Sequence, residues 1–399
     1  MAESTPVPDP IPADATDPFL ADMSPETLAI MRTQEALHPA VEILQRAIRE
    51  SSTGYAGLAF EGDGITLYWK GDLPSDVARA RNAAQKIGPI SVRKAQFSKA
   101  DLESQAERIN AAGRTDIQSI FIPGNGSGLS IEKMPPDEAN RAALKGSIRT
   151  AEQAVASAPS DIPVKIATAQ TAVELTACAG GVCSRLDDES AWNSGTFIAR
   201  NGTYLCSTGF GVNVLSRPGL HNILTAAHCG SAGDYFIDYT GELVGSMGLD
   251  DWDRDVGTIQ ANGWYWMWDG PSTTTFHKTV HSWWYPADGE LVCQSGYHGT
   301  VCNMQTQSGA TYTVTGCDSD GDCYTMHDFK KVIKLDAGNV AVAGDSGGPV
   351  FTLDGNGVRA KGLVVARSKP SASSPYYNIM YYQDMVDIRD RNGLEPRTG

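Results

Sequence analysis

Residues 342–350 read VAGDSGGPV, and three glycines in this stretch surround a single serine, Ser346. Serine is a weak nucleophile at neutral pH, and it needs a base beside it and a third group that orients that base. An oxyanion is stabilised by backbone N–H groups that converge on one point, which needs a turn that side chains would obstruct. We therefore predict that Ser346 is a nucleophile and that the N–H groups of Gly344 and Ser346 form an oxyanion hole.

The chain also supplies a base and an orienting acid upstream of this serine. His228 lies at the end of the apolar stretch ILTAAHC, and Asp255 begins the strand-like segment DVGTI. The order His, Asp, Ser along the chain is one of the few that builds a catalytic triad. We favour Asp255 as the acid because it alone leads into a strand-like pattern, whereas three other carboxylates lie close by in sequence. These are Asp250, Asp251 and Asp253.

The strings CSTGFGV, ILTAAHC and GDSGGPV together resemble the chymotrypsin family, and more closely its bacterial streptogrisin and alpha-lytic branch. The resemblance covers most of residues 195–390. It implies an all-β double six-stranded antiparallel barrel in this half, with His228 as general base, Asp255 orienting it and Ser346 attacking a peptide carbonyl. The first half is similar to the α/β pro-region of the same branch, which acts as folding catalyst and inhibitor. The predicted fold class is thus multidomain, an α/β pro-region followed by an all-β barrel pair.

Eight cysteines fall into four close pairs along the chain. No CxxC spacing occurs and histidines are not interleaved at ligand distances, so four disulfides are favoured over zinc ligands. Disulfides indicate an oxidising compartment, and we expect a secreted protein whose signal peptide is absent from this sequence. The family resemblance specifically implies two of the four bridges, Cys206–Cys229 and Cys293–Cys302. The other predicted pairs are Cys178–Cys183 and Cys317–Cys323.

Changes of composition along the chain predict four segments. Residues 1–23 are rich in Pro, Asp and Ala and should lack fixed structure. Residues 24–170 should be α/β, with a helical start and two ββαβ-like units. Residues 171–194 form a glycine-containing junction suited to proteolytic processing, and residues 195–399 form the protease-like domain. In the helical start we expect Ser24 to be the N-cap and Pro39 to divide the segment into two helices.

The strand KGLVVARS resembles the one that lines the substrate cleft of the branch, which makes Val365, Ala366 and Arg367 candidate substrate-binding residues. Arg367 replaces the glycine that the branch usually has at the rim of its primary pocket. It could favour an acidic substrate side chain, narrow the cleft, or simply be solvated. The stretch NVAVAG before the serine loop contains no acid, which disfavours trypsin-like cleavage.

Asp345 raises a question of charge pairing. The branch pairs this buried carboxylate with an arginine after the second-barrel cysteine, but this chain has Gln294 there. A buried carboxylate without a partner costs several kcal/mol, so another cation or several N–H donors are expected. The candidates are Lys330, Lys331, Lys334, Arg367 and a newly cut N-terminus.

Composition limits the remaining possibilities. The 399 residues carry a formal net charge of −15, which argues against nucleic acid or an anionic membrane surface as the main partner. No run approaches the roughly 20 apolar residues of a membrane span. Asp318, Asp320 and Asp322 could begin a calcium loop, but a turn of solvated acids is favoured because no glutamate follows at the usual offset.

These observations predict a secreted serine endopeptidase made as a zymogen. It would act on protein or peptide substrates without a cofactor, and its own pro-region would be its intramolecular inhibitor. Two alternatives stay open: a catalytically silent binding protein on the protease fold, held latent by its pro-region, and an esterase for which peptide cleavage is incidental.

Overall fold

The structure is a computed structural model. It describes a set of residues whose ranges are 23–113, 115–136, 139–140, 143, 147–170, 174–175, 178–179, 185, 188, 190–307, 311–317 and 323–399. The helices whose bounds the structure describes are five α-helices and one short 3-10 helix. They are α1 (Pro25–Glu50), α2 (Ser75–Ala84), α3 (Lys99–Asn110), α4 (Ala151–Ser157), α5 (Met385–Asn392) and the 3-10 helix Ala227–Cys229. Within the described residues, no helix is both long enough and apolar enough to cross a bilayer.

The strands are numbered in chain order. Those of the N-terminal part are β1 (Tyr55–Glu61), β2 (Gly64–Trp69), β3 (Ile90–Lys94), β4 (Ile117–Phe121), β5 (Leu129–Lys133), β6 (Val164–Thr168) and β7 (Glu174–Leu175). The next group is β8 (Cys178–Ala179), β9 (Trp192–Ser194), β10 (Phe197–Arg200), β11 (Tyr204–Ser207), β12 (Gly211–Val214), β13 (His221–Thr225), β14 (Tyr235–Ile237), β15 (Leu243–Asp251) and β16 (Val256–Ile259). The last group is β17 (Gly263–Trp268), β18 (His277–Trp283), β19 (Leu291–Gly296), β20 (Gly299–Thr306), β21 (Tyr312–Cys317), β22 (Cys323–Lys334), β23 (Pro349–Asp354), β24 (Gly357–Ser368), β25 (Ile379–Asp384) and β26 (Leu394–Pro396).

The N-terminal part contains two units, each built from an antiparallel hairpin and a parallel third strand. In the first, β1 pairs with β2, and β3 lies parallel to β2 after the crossover helix α2. In the second, β4 pairs with β5, and β6 lies parallel to β5. Helix α3 joins the two units. The hairpins and third strands are those that the sequence pattern predicts.

Helix α1 corrects one expectation. Ser24 is its N-cap, since its side chain accepts a hydrogen bond from the backbone N–H of Thr27, as predicted. Pro39, however, lies inside one continuous helix and does not divide it. Proline removes one backbone hydrogen bond from the ladder. The buried face of α1, which includes Met31, Leu37 and Leu44, provides the packing that holds the helix together across this gap.

The C-terminal part is built mostly of β-strands, in two groups. Strands β19, β20, β22, β23, β24 and β25 pair antiparallel around a closed ring, because β25 bonds to both β22 and β24. In the other group, β13, β16, β15, β14, β10 and β11 form a continuous antiparallel path. The consecutive strands β11 and β12 lie at opposite ends of this path. β11 is its last strand, and β12 pairs with β13, which is its first. Both groups are consistent with the predicted pair of six-stranded barrels.

The second N-terminal unit extends the sheet of the C-terminal part. Strand β4 pairs antiparallel with β21, with Tyr312 opposite Phe121 and Val314 opposite Ser119. Strands β6, β5 and β4 therefore continue the same hydrogen-bonded sheet as β21 and β22. The two rings of Phe121 and Tyr312 stack at 4.7 Å between centroids.

Helix α1 also binds the C-terminal part through buried polar side chains. The Gln34 amide donates to the Gly289 carbonyl at 2.7 Å and accepts from the Leu291 N–H at 2.7 Å, which mimics a strand pairing. Next to it, one Oε1 oxygen of Glu290 lies 2.7 Å from His38 Nε2 and 2.7 Å from Lys361 Nζ. All three of these charged or titratable side chains are buried.

Burial sets the protonation of this cluster. Desolvation lowers the pKa of His38. The positive charges of Lys361 and Arg359 lower the same pKa further, and Glu290 opposes the shift. Desolvation alone would raise the pKa of Glu290, but Lys361 and His38 outweigh it and bring that pKa to about 2. The cluster is therefore an ionic Glu290–Lys361 pair to which a neutral His38 donates through Nε2.

We expect acidification to weaken the folded chain through His38. Its folded pKa lies below 6.5, so the unfolded chain binds more protons as the pH falls through 6.5, and unfolding is favoured. The stabilisation that Glu290 provides is present above its unfolded pKa of 4.5 and is lost as the pH falls from there toward 2, so it does not affect a comparison between about pH 7.5 and about pH 5.5. Unfolding free energy, measured in denaturant at about pH 7.5 and about pH 5.5, should fall more in the parent chain than in His38→Gln.

The exposed His281, whose ring Nδ1 lies 3.0 Å from the Asp354 carbonyl, provides the matched control. His281→Gln should keep the pH dependence of the parent. Equal pH dependence in the parent and in His38→Gln would rule out His38 as the group responsible.

Candidate active site

Three side chains from the C-terminal part form one hydrogen-bonded series. His228 Nδ1 lies 2.5 Å from Asp255 Oδ2, and His228 Nε2 lies 2.7 Å from Ser346 Oγ. The other oxygen of Asp255 accepts the backbone N–H of His228 at 2.7 Å. A carboxylate accepts and does not donate, so Nδ1 carries the ring proton and Nε2 is left to accept from the serine hydroxyl.

Local structure positions each member of this series. His228 lies in the 3-10 helix that follows β13, and the adjacent Cys229 is bonded to Cys206 of β11. Asp255 directly precedes β16 with a backbone φ of 53°, a left-handed conformation that Asp tolerates better than most residues. The disulfide and the short turn hold the imidazole between the acid and the serine.

The acid in contact with the histidine is the one that the sequence pattern favours. The neighbouring carboxylates have other partners: Asp250 accepts from the Ala232 N–H at 3.0 Å, and Asp251 accepts from the Asn392 amide at 2.8 Å. Asp253 pairs with Arg254 at 2.7 Å. The signal in the sequence was therefore the strand that begins directly after Asp255.

All three members are withdrawn from solvent. The exposed fractions are 4% for His228, 0% for Asp255 and 0% for Ser346. Exclusion of water strengthens the electrostatic interactions within such a series. The same burial means that the serine hydroxyl is not open to solvent in this state of the chain.

The glycines around Ser346 are required by close approach. Gly344 has φ 102°, and a Cβ there would clash with the ring of Tyr297. Gly347 has φ 82°, and a Cβ there would clash with the Ser207 carbonyl and the Thr225 hydroxyl. The loop is further fixed by β24, because the Gly347 N–H donates to Val364 at 2.8 Å and the Val364 N–H donates to Gly348 at 2.8 Å.

Asp345 is paired by a residue that the sequence did not single out. Its Oδ1 accepts the backbone N–H of His298 at 3.2 Å and lies 3.0 Å from the ring Nδ1 of the same histidine. Its Oδ2 accepts the Val342 N–H at 2.7 Å and lies 3.5 Å from the Gln294 amide nitrogen. Asp345 is 1% exposed, so these donors replace the water that the carboxylate loses.

Four of the cations proposed for Asp345 are wrong, because the ion pair of this carboxylate is with His298 and the three lysines and Arg367 have other partners among the described residues. The newly cut N-terminus stays a prediction. Lys330 lies 3.8 Å from Asp384, and Lys334 pairs with Asp336. Lys331 lies over the rings of two tyrosines, and Arg367 donates to a backbone carbonyl. His298 is only four residues beyond Gln294, so the turn between β19 and β20 was the available signal.

Arg185 is a second residue that sequence reasoning missed. Its guanidinium is buried and donates to the carbonyls of Trp268 at 3.1 Å and Gly270 at 2.8 Å and to the Ser295 hydroxyl at 2.7 Å. Desolvation lowers the pKa of Arg185 to about 10. Arg185 belongs to the predicted junction, but its side chain is anchored inside the C-terminal part.

The candidate substrate-binding residues lie on β24 next to the serine loop. The short strand β7 pairs antiparallel with β24 there, with Leu175 opposite Ala366 and Glu174 opposite Arg367. Val365 precedes these two positions and is fully buried. A segment of the predicted junction thus occupies the strand edge that the sequence assigns to substrate.

Two of the four predicted disulfides lie wholly within the described residues, and both are formed. They are Cys206–Cys229 and Cys293–Cys302. Cys323 is disulfide-bonded and lies opposite Cys317 in the register of β21 and β22, but the Cys317 side chain is outside the described residues. Cys183 also lies outside them, as do Asp318, Asp320 and Asp322, so the Cys178–Cys183 and Cys317–Cys323 pairings and the calcium question stay predictions.

Comparison with known proteins gives similar solved structures but no match by sequence. No family model and no curated protein matches it. Similar solved structures are Thermobifida fusca Protease A, with 24% identity and a TM-score of 0.39, and Nocardiopsis protease, with 21% identity and a TM-score of 0.39. Cellulomonas bogoriensis chymotrypsin is similar at 20% identity and a TM-score of 0.38. Each match covers 52% of this chain and 98% of the other.

Proposed function

We propose that this chain is a serine endopeptidase made as a zymogen. The observation that carries the proposal is the hydrogen-bonded series from Asp255 through His228 to Ser346, set beside a glycine-rich loop. A nucleophile and base within hydrogen-bond reach, with the base oriented by a third group, is the arrangement that activates serine.

Each residue then has a role in peptide hydrolysis. Ser346 Oγ attacks the scissile carbonyl while His228 Nε2 takes its proton, and the C–N bond breaks as the same nitrogen returns the proton to the leaving amine. Asp255 keeps the proton on Nδ1 and stabilises the imidazolium. The N–H groups of Gly344 and Ser346 donate to the oxyanion. Water then hydrolyses the acyl-enzyme by the same steps in reverse.

We propose that the N-terminal part is the pro-region and keeps the enzyme latent. Support comes from the pairing of β7 with β24, which covers the strand edge that a peptide would need. Support also comes from β4, which adds to the sheet through β21, and from the buried Gln34 and His38 contacts of α1. We place the activating cut before Arg185, because the side chain of Arg185 is built into the C-terminal part.

We propose secretion because two disulfides are formed within the described residues. Disulfides persist in oxidising compartments and are rare in the cytosol. The protein or peptide substrate would be met outside the cell, after the pro-region has been cut.

A fluorophosphonate probe tests the proposal directly. The full chain and the product of limited proteolysis are each incubated with the probe, and the labelled residue is located by peptide mass spectrometry. We expect labelling of Ser346 that rises after proteolysis, because the serine is fully buried in the uncut chain. Absence of labelling in both states would overturn the enzyme proposal and favour a binding protein on the protease fold.

A further inference from the structure

Arg367 lies with its guanidinium between β24 and the segment that leads to the serine loop. Its Nη1 donates to the Ala341 carbonyl at 2.9 Å, five residues before Ser346. Its guanidinium carbon stacks 4.1 Å from the ring centroid of Tyr377. The side chain is therefore held against the protein by the segment that leads to the serine loop and by Tyr377, and it is only partly exposed.

The Arg367 guanidinium has at least one N–H donor that no described acceptor satisfies. Among the side chains that the structure describes, Arg367 Nε is buried and has no hydrogen-bond partner. Arginine presents five N–H donors in a planar fork that matches a carboxylate in two parallel hydrogen bonds. A buried guanidinium N–H without an acceptor is costly, and an incoming carboxylate would relieve that cost. Lys369 Nζ lies near the same tyrosine, 5.0 Å from the Tyr377 ring centroid.

The register of β24 shows which residue of a peptide would meet this group. β7 demonstrates that an extended segment pairs antiparallel with β24, with Glu174 opposite Arg367. Val364 exchanges hydrogen bonds with Gly347 and Gly348, so the Val365 end of this edge is nearest Ser346. A peptide residue opposite Val365 therefore presents its carbonyl to the serine. β24 has a bulge between Val364 and Ala366, so the regular alternation of faces is interrupted there. The long side chain of Arg367, two positions further along the strand, can reach the side chain of that peptide residue.

We propose that Arg367 selects an acidic side chain, Glu or Asp, at the residue whose carbonyl Ser346 attacks. This proposal rests on the proposed endopeptidase function and specifies its substrate class. It resolves the three roles that the sequence leaves open for Arg367 in favour of the first. A neutral residue at the same position would leave Nε without an acceptor.

The test uses the processed enzyme, with active sites counted by fluorophosphonate labelling. Four fluorogenic peptides differ only at the residue before the cut, which is Glu, Asp, Gln or Leu. We expect kcat/KM for Glu to exceed that for Gln by about ten- to hundredfold, the range of a hydrogen bond to a charged group. Arg367→Gln should abolish that preference, and Arg367→Lys should retain part of it because the charge stays but the fork is lost.

Lys369→Gln is the matched control, since it removes a nearby charge without touching the guanidinium. It should change the Glu-to-Gln ratio by less than about threefold, because a partly exposed charge without a direct contact to the substrate carboxylate is screened by solvent. A labelled enzyme that prefers Gln or Leu overturns the proposal. So does an Arg367→Gly variant that gains large neutral substrates while keeping its preference for Glu, because Arg367 would then only narrow the cleft. If the fluorophosphonate probe never labels the protein, the proposed endopeptidase function itself is wrong, which is a different outcome from a wrong substrate preference.

Discussion

Ser346→Ala should reduce kcat for peptide hydrolysis by about a millionfold, the loss seen when the nucleophile of such a triad is removed. The hydroxyl is 2.7 Å from His228 Nε2, and alanine offers the base no proton to take. Residual turnover would come only from binding and the oxyanion donors. The measurement is single-turnover and steady-state hydrolysis by the processed enzyme, with the fold checked by near-UV circular dichroism.

Ser216→Ala is the control for this change, because Ser216 is exposed on the turn between β12 and β13. It should keep the activity and the probe labelling of the parent. Hydrolysis by Ser346→Ala within about tenfold of the parent, against the millionfold loss expected for a triad nucleophile, would show that this serine does not attack the substrate.

Asp255→Asn should lower kcat by about ten-thousandfold, as the same exchange does in other enzymes with this triad. The Asn amide oxygen can still accept the His228 N–H, now 2.7 Å from Oδ1. The amide nitrogen would then face Nδ1 as a donor, so the ring must carry its proton on Nε2 and can no longer accept from Ser346. Asn also tolerates the backbone φ of 53° at this position, so the loss should be chemical and not structural.

Asp250→Asn gives the matched comparison, since Asp250 is one of the acids that the sequence also offers. It accepts a hydrogen bond from the Ala232 N–H and has no contact with the imidazole. We expect its kcat to stay within about threefold of the parent, because surface changes of this kind have small effects. If Asp250→Asn and Asp255→Asn lost activity equally, the orienting role assigned to Asp255 would be wrong.

Burial of the nucleophile in the uncut chain connects these predictions with latency. Ser346 is fully buried while β7 lies against β24 and the N-terminal part shares a sheet with β21. Both kinetic experiments therefore need the processed form. Labelling of the uncut chain at the rate of the processed form would contradict the proposed latency, although not the chemistry.

Much of the site could be predicted from short strings because each string encodes its own local geometry. Gly344 and Gly347 have positive φ in a crowded loop, and such positions favour glycine wherever they occur. Cys229, next to His228 in sequence, indicates the disulfide with Cys206 that fixes the 3-10 helix. The hairpins β1–β2 and β4–β5 were also predictable, because strand alternation and turn residues act over a few positions.

Only the tertiary structure decided how distant parts meet. Which surfaces pack together decides three contacts. These are the pairing of His298 with Asp345, the pairing of Glu290 with His38 across 252 residues of sequence, and the position of β4 beside β21. Pro39 is a case in which local propensity predicts the wrong structure. It predicts a break, but tertiary packing keeps α1 as one continuous helix. The sequence alone therefore determined the candidate nucleophile, base and acid, because residue type and neighbours specify those. The ion partners, the direction of Arg367 and the covering of the cleft arise from contacts between distant segments, which no local pattern records.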